Sequence, residues 1–191
     1  NARIQQGVVD IGALESAYSN LVVTNTNDSG SGSLRQAILN ANSDGIDSVI
    51  TFEPSANGTI TLAGPLPGIA NNGTLTITGN GMANTIVNGA DTYRHFDVAS
   101  GANLTLNELT LEHGHQAGGG AIYSNGTVTI NNAYLHHNVS SPTSNSGGAI
   151  LAYGDLTISN STLSDNSAAN DGGAVTHVSG AFTVSGSRFE N

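Results

Sequence analysis

A chain of 191 residues has room for one domain with a sizeable core, but 25 of them are glycine, only 9% are charged, and cysteine and lysine are absent. With a formal charge of −10 and Arg3, Arg35, Arg94 and Arg188 as its only basic residues, the chain cannot assemble the stripe that neutralises phosphates. Nucleic acid is therefore excluded as a partner and anionic membrane surfaces are disfavoured. No apolar run approaches the roughly 20 residues of a membrane helix, and the remaining richness in Asn, Gly and Thr points to many short strands separated by turns.

The opening NARIQQGVVDIGA lacks both the basic start and the apolar centre of a signal peptide, so it reads as an internal segment. Strand signals come first at Leu21–Thr24 (LVVT) and again at Ser48–Phe52 (SVITF). Between them, Ser33–Gly45 (SLRQAILNANSDG) predicts the single convincing helix. Ser33 and Gln36 have the spacing of a capping box. Leu34, Ala37, Ile38 and Ala41 make one apolar stripe, and Gly45 supplies a left-handed stop.

From about Asn57 the chain repeats itself. Leu75-Thr76-Ile77, Leu104-Thr105-Leu106, Val128-Thr129-Ile130, Leu156-Thr157-Ile158 and Phe182-Thr183-Val184 align, at starts 75, 104, 128, 156 and 182. Seven residues after the last four starts stand Leu111, Leu135, Leu163 and Phe189. A Gly-Gly-Ala element places Ile122, Ile150 and Val175 in register. Three short apolar strands per period, with no helix among them, predict a parallel β-solenoid whose coils stack about 4.8 Å apart. The amphipathic helix is placed to cap the N-terminal end of the apolar column, where open strand edges would invite aggregation.

The GGA[IV] element, its following Leu or Phe and its closing Asn resemble the repeats of polymorphic outer-membrane proteins and related bacterial surface β-helices. LVVTNTNDSGSGSLRQAILNAN…DSVITF resembles the opening of right-handed parallel β-helix modules in large secreted or surface-anchored bacterial proteins. VVDIGALES (residues 8–16) is similar to the close of such a module. The resemblance implies an all-β, right-handed, single-stranded parallel β-helix of pectate-lyase-like architecture. It divides the chain into a tail of a preceding module (1–15), a junction (16–20) and a module (21–191) with its capping helix at 33–45. It also implies an extracellular or cell-surface location, sister modules as neighbours, and no direct insertion into a membrane.

Three sets of residues could carry chemistry. The central Thr of each triplet points outward, so Thr76, Thr105, Thr129, Thr157 and Thr183 form a ladder that Thr74 and Thr78 widen on one coil. A flat hydroxyl array could bind ice or a glycan. Thr also simply suits an exposed strand and pairs with itself, and the Asn, Asp, Ala and Ser in the flanking columns spoil a uniform lattice. His113 and His137 share a register position with Asp165 and Asn191. A solvated turn is expected there, His113, His137 and Asp165 being the side chains a transition metal would use. The stretch DTYRHFD brings together Asp91, Arg94 and Asp97. A glycosidase needs two carboxylates about 5–9 Å apart, whereas the plainer reading has Arg94 ordering the loop through a neighbouring acid. Asn138 and Asn166, at equivalent turns, are expected to bond along the solenoid.

The expected role is a non-catalytic structural or adhesive module, with no catalytic residue and no resident metal. A carbohydrate-active lyase or hydrolase centred on Asp91, Arg94 and Asp97 is the alternative, and ice or glycan binding through the Thr ladder a further one. Expected partners are polysaccharide, or a host or cell-surface glycan or protein. No cofactor is implied, Ca²⁺ being the ion that the acidic chain would take.

Overall fold

Period-two alternation makes each L-T-I triplet a strand with two residues inside and one out, and one strand alone cannot bury its apolar pair. The computed structural model, which describes residues 4–5, 8–9, 18–141, 147–169 and 172–190, solves this by stacking coils in parallel for about six turns. The longest sheet runs in chain order through Tyr18–Val23, Asp47–Phe52, Thr74–Thr78, Asn103–Asn107, Thr127–Asn131, Leu156–Ser159 and Phe182–Ser185. A second sheet stacks Gly58–Thr61, Thr85–Asn88, Thr110–Glu112, Tyr134–His136, Thr162–Ser164 and Arg188–Glu190. A third stacks Phe96–Val98, Ile122–Ser124, Ile150–Ala152 and Val175–His177. Every pairing within these sheets is parallel.

The register matches the sequence columns residue for residue. Leu75 pairs with Leu104, Val128, Leu156 and Phe182 in succession. Leu111, Leu135, Leu163 and Phe189 stack, as do Ile122, Ile150 and Val175. The core continues upward through residues the repeat left unmarked: Ile60 and Val87 above Leu111, and Phe96 above Ile122. A fourth, minimal sheet joins His115–Gln116, Val139–Ser140 and Ser167–Ala168; two-residue strands carry too little periodicity to be read in advance.

The glycine pairs of the GGA elements set the coil spacing. A Cβ on Gly148 would lie 2.1 Å from the Gly173 carbonyl oxygen and 2.5 Å from the Ser167 nitrogen. One on Gly120 would stand 2.6 Å from both the nitrogen and the oxygen of Val139. No side chain fits between neighbouring coils there. Gly119 adds a conformational demand, with φ +79°.

Helix α1 spans Leu34–Asp44, with Gly45 left-handed at φ 68° behind it. Leu34, Ala37, Ile38 and Ala41 are its buried residues, and they join the continuous core against the strands Tyr18–Val23 and Asp47–Phe52. The capping box forms by half: Ser33 Oγ accepts from the Gln36 nitrogen at 3.2 Å, but the Gln36 side chain donates to Asn40 instead of returning. The Ser33 N–H is already bonded to the Gly30 carbonyl, so it has no need of Gln36. Arg35 fastens the helix to the segment before it and to the turn after Gly58–Thr61, donating to Asp28 Oδ1 at 2.5 Å and to the Gly64 carbonyl at 2.8 Å. Burial alone would raise the Asp28 carboxyl, but Arg35 and the Ala63 N–H outweigh it and hold the group below its ordinary value.

Of the expected upstream tail, Ile4–Gln5 and Val8–Val9 form a short antiparallel pair. The rest of VVDIGALES, with Asn191, lies outside the described residues.

Ile130 and Val184 occupy one inward column, but Ile130 is wholly buried while Val184 is 42% exposed on the last rung. Truncating Ile130 to Ala is expected to cost about 2–5 kcal/mol and Val184→Ala under about 1 kcal/mol by urea denaturation. Equal costs would contradict the stacking.

Candidate functional site

The chain turns outward through Ala90 and Asp91, both at positive φ (54° and 51°), before entering the third sheet at Phe96. Within this stretch Arg94 is largely enclosed. Its Nε donates to the Gly119 carbonyl at 2.9 Å, its two Nη atoms to Asp97 Oδ1 and the Ala117 carbonyl, and its guanidinium lies 5.1 Å from the Tyr123 ring centre. Asp91 pairs instead with His113 Nδ1 at 3.0 Å. An open depression of about 630 Å³ has Tyr93, Arg94, Asp97 and Gln116 among its walls, and Asp91 is not one of them. The expected carboxylate pair is thus divided between two partners, while the guanidinium organises the loop between coils as the plainer reading required.

The neighbouring His95, a member of the same DTYRHFD stretch, has a structural role. Asn138 and Asn166 form the expected internal ladder: Asn138 Nδ2 donates to Asn166 Oδ1 at 3.0 Å and to the Leu111 carbonyl at 3.1 Å, and Asn166 Nδ2 to the Leu135 carbonyl at 2.9 Å. One coil earlier the ladder position holds Gly114, which has no side chain to offer. His95 fills that gap, its Nε2 lying 3.0 Å from the Val87 carbonyl and 3.1 Å from that of Glu112. Val87 stands directly above Leu111 and Leu135, so the imidazole serves the carbonyl that an Asn would otherwise have served. A Cβ on Gly114 would meet His95 Cε1 at 2.7 Å, which makes the two residues a matched pair. The interruption of the closing-Asn column at Gly114 was the available signal.

Two carbonyl acceptors assign the His95 hydrogen to Nε2. Nδ1 is then the one buried side-chain nitrogen or oxygen without a partner among the described residues. Burial pushes the imidazole down to about 4, against the pull of the Glu112, Val87 and Ala121 backbone.

The outward Thr ladder forms as expected. Thr76, Thr105, Thr129, Thr157 and Thr183 pair in succession, and Val49 continues the column on the coil before. The column from Thr78 is a bonded strip, with Asn107 Nδ2 donating to Thr78 Oγ1 at 3.1 Å, Asn131 Nδ2 to Asn107 Oδ1 at 2.9 Å, and Ser159 Oγ to Asn131 Oδ1 at 2.5 Å. On the other side, in line with Thr74 and Thr127, Asp155 accepts from the Ala181 nitrogen at 2.8 Å. The same column carries Asp47 on the coil before Thr74, accepting from the Thr74 nitrogen at 2.7 Å, so these columns hold two carboxylates and each is tied to the backbone of the next coil.

His113, His137 and Asp165 share a turn column, all left-handed at φ 53°, 52° and 52°. The His113 and His137 rings stack at 5.4 Å, and His136 inserts beside them, its Nε2 3.2 Å from Glu112 Oε2. No group of three His, Asp or Glu side chains is arranged to hold a metal ion among the described residues.

The geometry defines the class: a parallel β-solenoid with polar faces. Comparison with protein-family models, with curated proteins and with solved structures finds no match.

His95 should make the fold acid-labile. Its folded-state value of about 4 lies below the ordinary 6.5, so between these values the unfolded chain binds more protons and stability falls as pH falls. The full effect is on the order of 3 kcal/mol. His95→Gln is expected to lower stability at pH 7.5 but flatten the slope between pH 6.5 and 4 in urea melts. An unchanged slope would assign the lability elsewhere.

Proposed function

We propose that this chain is a non-catalytic structural or adhesive module of an extracellular or cell-surface bacterial protein, with a pectate-lyase-like β-helix serving as spacer and binding surface. The observation that carries this reading is the employment of the polar groups. Arg94, Asp97, Asp155 and the Asn ladder are spent on backbone or on one another, whereas catalysis needs groups poised toward a substrate. The long face built on Thr76, Thr105, Thr129 and Thr157 keeps its hydroxyls in register, with the flanking Asp47 and Asp155 engaged by backbone nitrogens, which suits a neutral, hydrogen-bonding partner such as a surface glycan. Solenoid stacking supports such a face over any number of coils.

The test is a glycan and polysaccharide binding panel, with reducing-end and unsaturated-product assays on the same mixtures with and without Ca²⁺. Binding without product is expected, with loss of at least about tenfold in affinity in Thr129→Tyr, since one ring obstructs several rungs. Turnover abolished by Asp97→Asn would instead establish the lyase or hydrolase alternative. Thermal hysteresis lost in Thr129→Tyr would turn the ladder toward ice.

A further inference from the structure

Outside that face, the largest concentration of titratable side chains lies along the outer edge of the second sheet. Glu112, His136 and Ser164 succeed one another on adjacent coils, and the turns behind them carry His113, His137 and Asp165. His136 Nδ1 stands 2.7 Å from His137 Nδ1. Two ring nitrogens at that distance share one hydrogen, because two donors facing each other would repel. The neighbours fix where it lies. Glu112 is held by Asn88 Nδ2 at 2.7 Å and faces His136 Nε2, so the His136 hydrogen belongs on Nε2. Nδ1 of His136 then accepts from Nδ1–H of His137. A proton added to His136 puts a second donor into the gap, and the contact fails; one added to His137 at Nε2 leaves it intact.

The backbone at the same place is weakly tied. The His113 N–H reaches the His136 carbonyl, and the His137 N–H that of Ser164, at 3.4 Å each. A second left-handed column, Glu108, Asn132 and Asn160 (φ 55°, 49° and 48°), makes the corresponding bonds at 3.1, 3.1 and 2.9 Å. Left-handed backbone costs a non-glycine residue roughly 1–2 kcal/mol, a cost that Asn, Asp and His bear better than most side chains. The imidazole column thus combines strained backbone, long bonds and a side-chain contact closed by a single hydrogen.

We propose that the His136–His137 contact is an acid-sensitive clasp: it closes the turn column at neutral pH and opens when His136 takes a second proton, releasing the turns at His113 and His137 from the stack. The groups around His136 are those of five successive coils. Asn88 and Asp91 belong to the first, Glu112 and His113 to the second, Tyr134 and His137 to its own, and Ser164 and Asp165 to the next, with the Arg188–Glu190 pair one coil further on. Tyr134 packs on the ring at 4.2 Å and bonds Ser164 through its hydroxyl at 2.9 Å. Burial and the two other imidazoles lower the His136 value, and Glu112 and Asp165 only partly restore it. The clasp therefore stays closed at neutral pH and yields on acidification.

Native-state hydrogen exchange by NMR on the full chain, at pH 7.5 and 5.0 with intrinsic rates divided out, tests this. Protection of the His113 and His137 amides is expected to fall about tenfold more than that of Asn132 and Asn160, the effect of one pK unit. In His137→Asn, which keeps a residue tolerant of the left-handed turn, the difference between the columns should vanish. The His136 ring resonances in that variant should titrate at higher pH. Equal loss in both columns of the unmodified chain overturns the proposal whatever the variant does, and so does a difference that persists in the variant.

Discussion

Everything in this molecule depends on the distance at which one coil can lie upon the next. Parallel strands pair about 4.8 Å apart, so each level must be thin wherever the chain crosses the one beneath. The glycine pairs at 119–120 and 147–148 meet that requirement, since even a methyl group at Gly148 would sit within 2.1 Å of backbone. Once the spacing is fixed, the inward residues of successive coils touch, and a column such as Leu104, Val128 and Leu156 becomes buried to 1% or less. No coil gains this alone. Stability therefore accrues between neighbours rather than within a unit.

The same constraint governs the polar groups. A level that offers a carbonyl to the interior must have it bonded by the coil above or below, and the chain meets this with one donor per coil. Asn138 and Asn166 do so in the simplest way. Where the repeat substitutes Gly114, the imidazole of His95 enters from elsewhere on the coil and bonds the equivalent carbonyl. That substitution leaves one ring nitrogen bare and makes the fold's tolerance of acid depend on one buried residue. Arg94 acts similarly at the third sheet, binding the Gly119 and Ala117 carbonyls of the next coil.

How much of this was legible varies with the range of the interaction. The three apolar columns, the Thr ladder, the helix with its stripe and stop, and the Asn138–Asn166 contact could be read because each is a repeat or a local spacing. The second capping-box bond could not, because it was lost to Gly30, three residues away but placed by tertiary structure. Ile60, Val87 and Phe96 extend the core from coils whose spelling departs from the repeat. The division of Asp91 from Asp97 depends on which way a turn faces, and six residues of separation do not encode that. His95 stood within the DTYRHFD cluster, but its role was not legible because it is defined by an absence elsewhere, at Gly114.

The two left-handed turn columns make the sharpest internal comparison. Their backbone demands are alike, with φ between 48° and 55° throughout. One is filled mainly by Asn, which accepts that conformation at little cost, and its bonds to the next coil are short. The other is filled by His, His and Asp, and its two imidazole positions accompany bonds of 3.4 Å, whereas Asp165 bonds the Glu190 carbonyl at 3.1 Å. The fold does not require imidazoles there, and Asn132 and Asn160 supply the cheaper solution within the same chain. What distinguishes the imidazole positions from Asn is the contact of His137 with His136, two ring nitrogens 2.7 Å apart that a single hydrogen joins, so the property that sets this edge apart is its dependence on where that hydrogen lies.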